Sequence, residues 1–136
     1  MLILLFLAVV SLDALADHPA LVAGVEPFHR YISSESSLPA RDREILILRI
    51  AALSRSAAVW NAHVPVALAA GVTRTDVARA GGEPDARGRS GFDGALLRAA
   101  DELHAQSFVS DATWTALAER YDRHQQIGRA SCRERV

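Results

Sequence analysis

Apolar residues recur along this chain at intervals of three and four, the spacing of helices that bury one face, and no segment alternates convincingly as a strand would. An apolar run over residues 1–10, extended by Leu12 and Leu15, predicts a first helix over about 2–16. Pro19 suits a first helical turn, and Leu21, Val25, Phe28 and Ile32 form the stripe of a second helix. The polar linker 33–37 follows. Pro39 opens a third helix that runs to about Ser54, and a short break at Arg55 and Ser56 leads into a fourth that ends at Ala70. Gly71 stands where a glycine stop belongs. Thr73, with Asp76 three residues on, predicts an N-cap for a short helix over 74–80. After a glycine-rich loop over 81–91, Phe92, Leu96, Ala99 and Leu103 mark another helix. Ser110 caps the last one, with Trp114, Leu117, Ala118 and Tyr121 as its apolar face.

The third and fourth helices stand apart from the rest. Residues 45–48 and 50–53 are apolar all round, so this helix is expected to be buried on most sides. Its first-turn charges, Asp42 and Arg43, read as solvated. The fourth helix is equally apolar, with Asn61 and His63 as its polar islands. Helices joined by so short a break pack antiparallel, which can bring Glu44 and His63 together in an alanine-rich, water-poor setting. A carboxylate and an imidazole so placed form a proton-transfer pair. Pro65 removes a helical hydrogen bond beside His63. Plainer readings stand alongside. His63 can be a satisfied core residue, Glu44 can pair with Arg41 or favour its own helix start, and Trp60 can be core or pocket wall. Arg49 can bond a carboxylate across a subunit interface or one on a substrate.

Composition narrows the field. With 136 residues the chain has room for one domain, and half of it is apolar. Twenty-five alanines and few aromatics favour an all-α fold. A formal charge of −1 with no basic excess disfavours nucleic-acid binding. All 15 basic residues are arginine, which excludes a Schiff-base lysine. A single cysteine allows neither an internal disulfide nor a dithiol pair. The five histidines show no metal-ligand spacing, so no metal site is expected. The apolar run 1–10 is too short to span a bilayer, and no membrane association is expected; a signal peptide, a core or interface helix and a misplaced start all fit residues 1–16. Residues 127–136 break the helical period and resemble the translation of a sequencing-library adapter. They are expected to be a non-native tail, with a single domain over 1–126 truncated at its C-terminus. The tail holds three arginines, one glutamate and the only cysteine, so without it the formal charge is −3.

Several blocks in order resemble the carboxymuconolactone decarboxylase-like family, which includes alkylhydroperoxidase D-type proteins. They are Leu38-Pro-Ala-Arg-Asp-Arg-Glu-Ile-Leu-Ile-Leu-Arg49, Trp60-Asn-Ala-His63, Ala69-Ala-Gly-Val-Thr73, Ala95-Leu-Leu-Arg-Ala-Ala-Asp-Glu-Leu103 and Val109-Ser-Asp-Ala-Thr-Trp114. The resemblance covers about 15–126. It implies an all-α, alkylhydroperoxidase D-like bundle of about six helices, assembled as a homotrimer or hexamer in the cytoplasm; a secreted or periplasmic location is the lesser alternative. Peroxidase-type members carry two cysteines between the glutamate and the histidine. Counted from Glu44, those positions are Ser56 and Val59 here, with His63 retained. Serine cannot become a sulfenic acid, so thiol-dependent peroxide reduction is not expected. The resemblance then implies a cofactor-free lyase acting on a small carboxylated or lactone substrate. His63 would deliver the proton, Glu44 would orient it, and Ser56 would hold a water or substrate oxygen. Arg49 or a partner chain's arginine would bind a carboxylate, with Trp60 and Asn61 as further substrate-binding candidates. The alternative is a redox-inactive relative that binds a small ligand.

Overall fold

A computed structural model describes residues 17–31, 35–82 and 91–122. The expected helix over 2–16, the tail over 127–136 and most of the loop after 81 lie outside the described residues. Within them the chain is all-helical: α1 (Pro19–Arg30), α2 (Ala40–Leu53), α3 (Ala57–Ala69), α4 (Arg74–Gly81), α5 (Gly91–Gln106) and α6 (Asp111–Ala118).

Local chemistry fixes most of the boundaries. Ser56, Thr73 and Ser110 each accept a hydrogen bond from the backbone N–H three residues on, which satisfies a donor that the first helical turn leaves open. Asp76 completes a capping box by accepting from the N–H and hydroxyl of Thr73. At the end of α3, Gly71 adopts φ +89°, and the N–H groups of Gly71 and Val72 return to the carbonyls of Leu68 and Ala67. The end of α2 repeats this motif with a side chain in the glycine position. Arg55 takes φ 54°, while the N–H groups of Arg55 and Ser56 reach Ala52 and Ala51. That tight reversal turns α3 back along α2.

Helix α2 is the centre of the molecule, and α3, α4 and α5 pack around it, with α6 on α5. Nine of its fourteen residues are buried, as its all-round apolar sequence requires. Gly94, Ala95, Ala99 and Ala100 give α5 a face of small buried side chains among the larger Leu96 and Leu97. Helix α1 has no fully buried residue and meets the core chiefly through Phe28.

Two expectations are corrected, and the packing of a further helix departs from what its composition suggests. Asp42 is not a solvated first-turn charge: it is buried and accepts the hydroxyl of Tyr121 at 2.7 Å. Burial first, and then this hydrogen bond, raise the Tyr121 phenol far above its ordinary range. Helix α6 ends at Ala118, which is exposed, so Tyr121 reaches the core from beyond the helix. Helix α3, although as apolar as α2, buries only Val59 and Ala67. Its Ala57, Ala58, Ala62, Val66 and Ala69 face outward, because the other helices cover α2 rather than α3.

Ion pairs tie the start of α2 to its neighbours. Arg41 grips Asp93 of α5 through both terminal nitrogens, at 2.9 and 2.7 Å, and reaches Asp76 of α4 at 3.2 Å. The hydrogen bonds to Asp93 raise the Arg41 guanidinium beyond its usual value against the opposing effect of burial. At Asp76, burial pushes the carboxyl up. The Thr73 hydroxyl and N–H, with Arg41 and Arg79, outweigh it and hold the group below the ordinary carboxylate range.

Candidate functional site

Two features of sequence bring the site together. The apolar run that follows Glu44 forces its helix into the centre, and the Arg55 reversal lays α3 alongside so that position 63 returns to the level of position 44. The result is a hydrogen bond between His63 Nδ1 and Glu44 Oε2 at 2.8 Å. The two partners differ in surroundings. The glutamate side chain is 4% exposed and the imidazole 27%, so the carboxylate is sheltered while the ring reaches the surface. With Nδ1 donating to the carboxylate, the imidazole presents Nε2 outward as a proton acceptor. A buried carboxylate orienting a half-exposed imidazole is an arrangement suited to moving protons.

The other expected site residues are placed as follows. Ser56 caps α3, accepting from the Val59 N–H at a long 3.5 Å, and its hydroxyl proton remains available. Trp60 lays its indole over the end of α4; a Cβ added at Gly81 would sit 2.9 Å from the ring, so the glycine makes room for the tryptophan. Asn61 is exposed and points away from His63, as two positions along a helix dictate. Arg49 is not at the site. Its side chain is 1% exposed and donates from Nε to Asp101 and from Nη1 to the carbonyls of Ala80 and Gly82. It ties α2 to α4 and α5 within one chain, which replaces the reading of Arg49 as a substrate or intersubunit contact.

Arg43 is the residue that reading the sequence missed. Its side chain is only 13% exposed, and its Nε lies 3.8 Å from Glu44 Oε1, the carboxylate oxygen not taken by His63. The missed signal was the apolar run itself: a helix buried on nearly every side offers its first-turn charges little solvent. Where peroxidase-type relatives place sulfur, this chain has the cap hydroxyl of Ser56 and the buried methyls of Val59. Among the described residues no three His, Cys, Asp or Glu side chains converge to hold a metal ion. No described helix is long and apolar enough to cross a membrane.

An all-helical bundle built on a central α2, with a glutamate on that helix holding a histidine on the next, defines the class. The model of the carboxymuconolactone decarboxylase family matches residues 19–102, and the chain belongs to that family. Comparison with curated proteins and with solved structures gives no significant match.

Proposed function

We propose that this protein is an acid–base lyase that needs no cofactor and decarboxylates a small carboxylated or lactone substrate. In this reaction the bond between a ring carbon and its carboxylate breaks and carbon dioxide departs. The electron pair left behind moves into the conjugated lactone carbonyl, and a proton then returns to carbon. His63 takes a proton from solvent on Nε2 and hands it to that carbon. Glu44 holds the imidazole in one orientation and tautomer, acting through His63 rather than on substrate. Ser56, which caps the helix that carries His63, and Trp60 within that helix serve substrate placement. The observation that carries this reading is the 2.8 Å contact between a buried carboxylate and a half-exposed imidazole with its outer nitrogen turned to the surface.

A panel of carboxylated unsaturated γ-lactones, followed for carbon dioxide release in heavy water, tests it. Turnover with deuterium on the product carbon is expected, and it should vanish in His63→Gln. If no carboxylated lactone turns over, the reading as a redox-inactive small-ligand binder replaces it. We further propose a cytoplasmic homo-oligomer, supported by the poorly covered apolar stripe of α1, where Leu21 is 49% exposed.

A further inference from the structure

Arg43 takes no part in the pair formed by Glu44 and His63, yet it is held beside it. Among the described residues its guanidinium donates no hydrogen bond, and its Nε is buried without a partner. Other arginines on the same helix have hydrogen-bonded partners: Arg41 is engaged by Asp93 and Asp76, and Arg49, although its Nη2 is also buried without a partner, by Asp101 and two carbonyls. A guanidinium has five N–H donors in a planar fork matched to a carboxylate; here Nε is buried without a partner, which is unfavourable, and the terminal nitrogens, unbonded within the described residues, reach the surface. Glu44 does not fill that fork. At 3.8 Å its Oε1 offsets charge without a hydrogen bond, and Oε2 is already taken by His63.

We propose that Arg43 is the residue that receives a substrate carboxylate, through the open edge of its guanidinium and next to His63. The inference rests on the acid–base reading above and assigns its anion-binding group. The anchored carboxylate is one that the reaction keeps. A carboxylate paired with arginine is stabilised in its charged ground state, and expelling it as carbon dioxide would forfeit the pair. Arg43 is therefore a specificity residue, while proton transfer stays with His63.

The test uses the full chain and a saturated lactone acid, (5-oxotetrahydrofuran-2-yl)acetate, whose carboxylate sits on a side-chain carbon that the reaction would keep, against its uncharged amide. Binding is followed by NMR at the arginine side-chain and imidazole resonances. The wild type is expected to prefer the acid by about tenfold to a hundredfold, the range for a charge-assisted hydrogen-bonded pair, and Arg43→Gln to lose that preference. The wild-type Arg43 resonance gives an answer without any substitution: it should move with the acid and stay with the amide. Equal binding of acid and amide, an Arg43 resonance unmoved by the acid, or a folded Arg43→Gln that keeps the preference would each overturn the proposal. Because binding is read without turnover, a chain that binds the acid through Arg43 but decarboxylates nothing would sink the lyase reading alone.

Discussion

Tyr121 donates its hydroxyl to the buried carboxylate of Asp42 across 79 positions of sequence, at 2.7 Å. The contact joins the segment after α6 to the first turn of α2. Phe92 meets the Tyr121 ring edge-on with centroids 5.0 Å apart, and Arg120 covers the other aromatic at 4.4 Å. The pair thus closes the bundle at the end of α2 that also carries Arg43 and Glu44.

Tyr121→Phe should cost about 1–3 kcal/mol, because it leaves a buried carboxylate short of a donor. The pH dependence follows from the raised phenol. A proton held more tightly in the fold stabilises it fully below the ordinary tyrosine value of 10.0, and that contribution drains away as pH rises above it. Urea unfolding at pH 7 and at pH 11 checks both points. Wild type should lose stability between the two pH values, and Tyr121→Phe should lose distinctly less.

Glu44→Gln keeps an oxygen for His63 Nδ1 but replaces the charged acceptor that orients the ring with a neutral one. Once a substrate is in hand, its kcat should fall by roughly ten- to a hundredfold with KM little changed. His63→Gln should fall by about a hundredfold or more, the usual share of general acid–base catalysis. Steady-state kinetics beside thermal melts separates these losses from unfolding.

Hydroperoxide consumption with a dithiol reductant should stay at the background rate. The positions that would carry sulfur are Ser56 and Val59, a helix cap and a core side chain. Robust turnover of a hydroperoxide would overturn the sulfur-free reading of the site.

Arg55 holds a left-handed conformation at φ 54° that glycine adopts without steric cost. Arg55→Gly should therefore stabilise the fold by about 0.5 kcal/mol, once the extra freedom of glycine in the unfolded chain is set against the relieved strain. A matched pair of denaturant curves is enough to see the sign.

Leu21 and Tyr31 are exposed on and just after α1. Sedimentation at micromolar concentration should show an assembly larger than a monomer, and Leu21→Glu should shift it toward the monomer. A monomeric wild type would remove the assembly from the proposal.

Much of this was legible in the sequence, and the reason is range. Caps at Thr73 and Ser110, the stop at Gly71 and the break near Arg55 depend on groups within five residues of one another, so spacing alone reveals them. The meeting of Glu44 and His63 was legible too, because two helices joined by so short a link have only one way to fold back.

The roles of the arginines were not legible. The sequence by itself determined the helical segments and the apolar run of α2, and it offered the carboxylate–imidazole pair as one reading among others. Only the tertiary structure decided that Arg49 is a structural tie, that Arg41 serves α4 and α5, that Asp42 belongs to Tyr121, and that Arg43 is left beside the pair. A long cation takes whichever acid the packing presents. The acids of Arg41 and Arg49 lie 35 to 52 positions away and Asp42 lies 79 from Tyr121, in elements whose angle and depth no local pattern encodes.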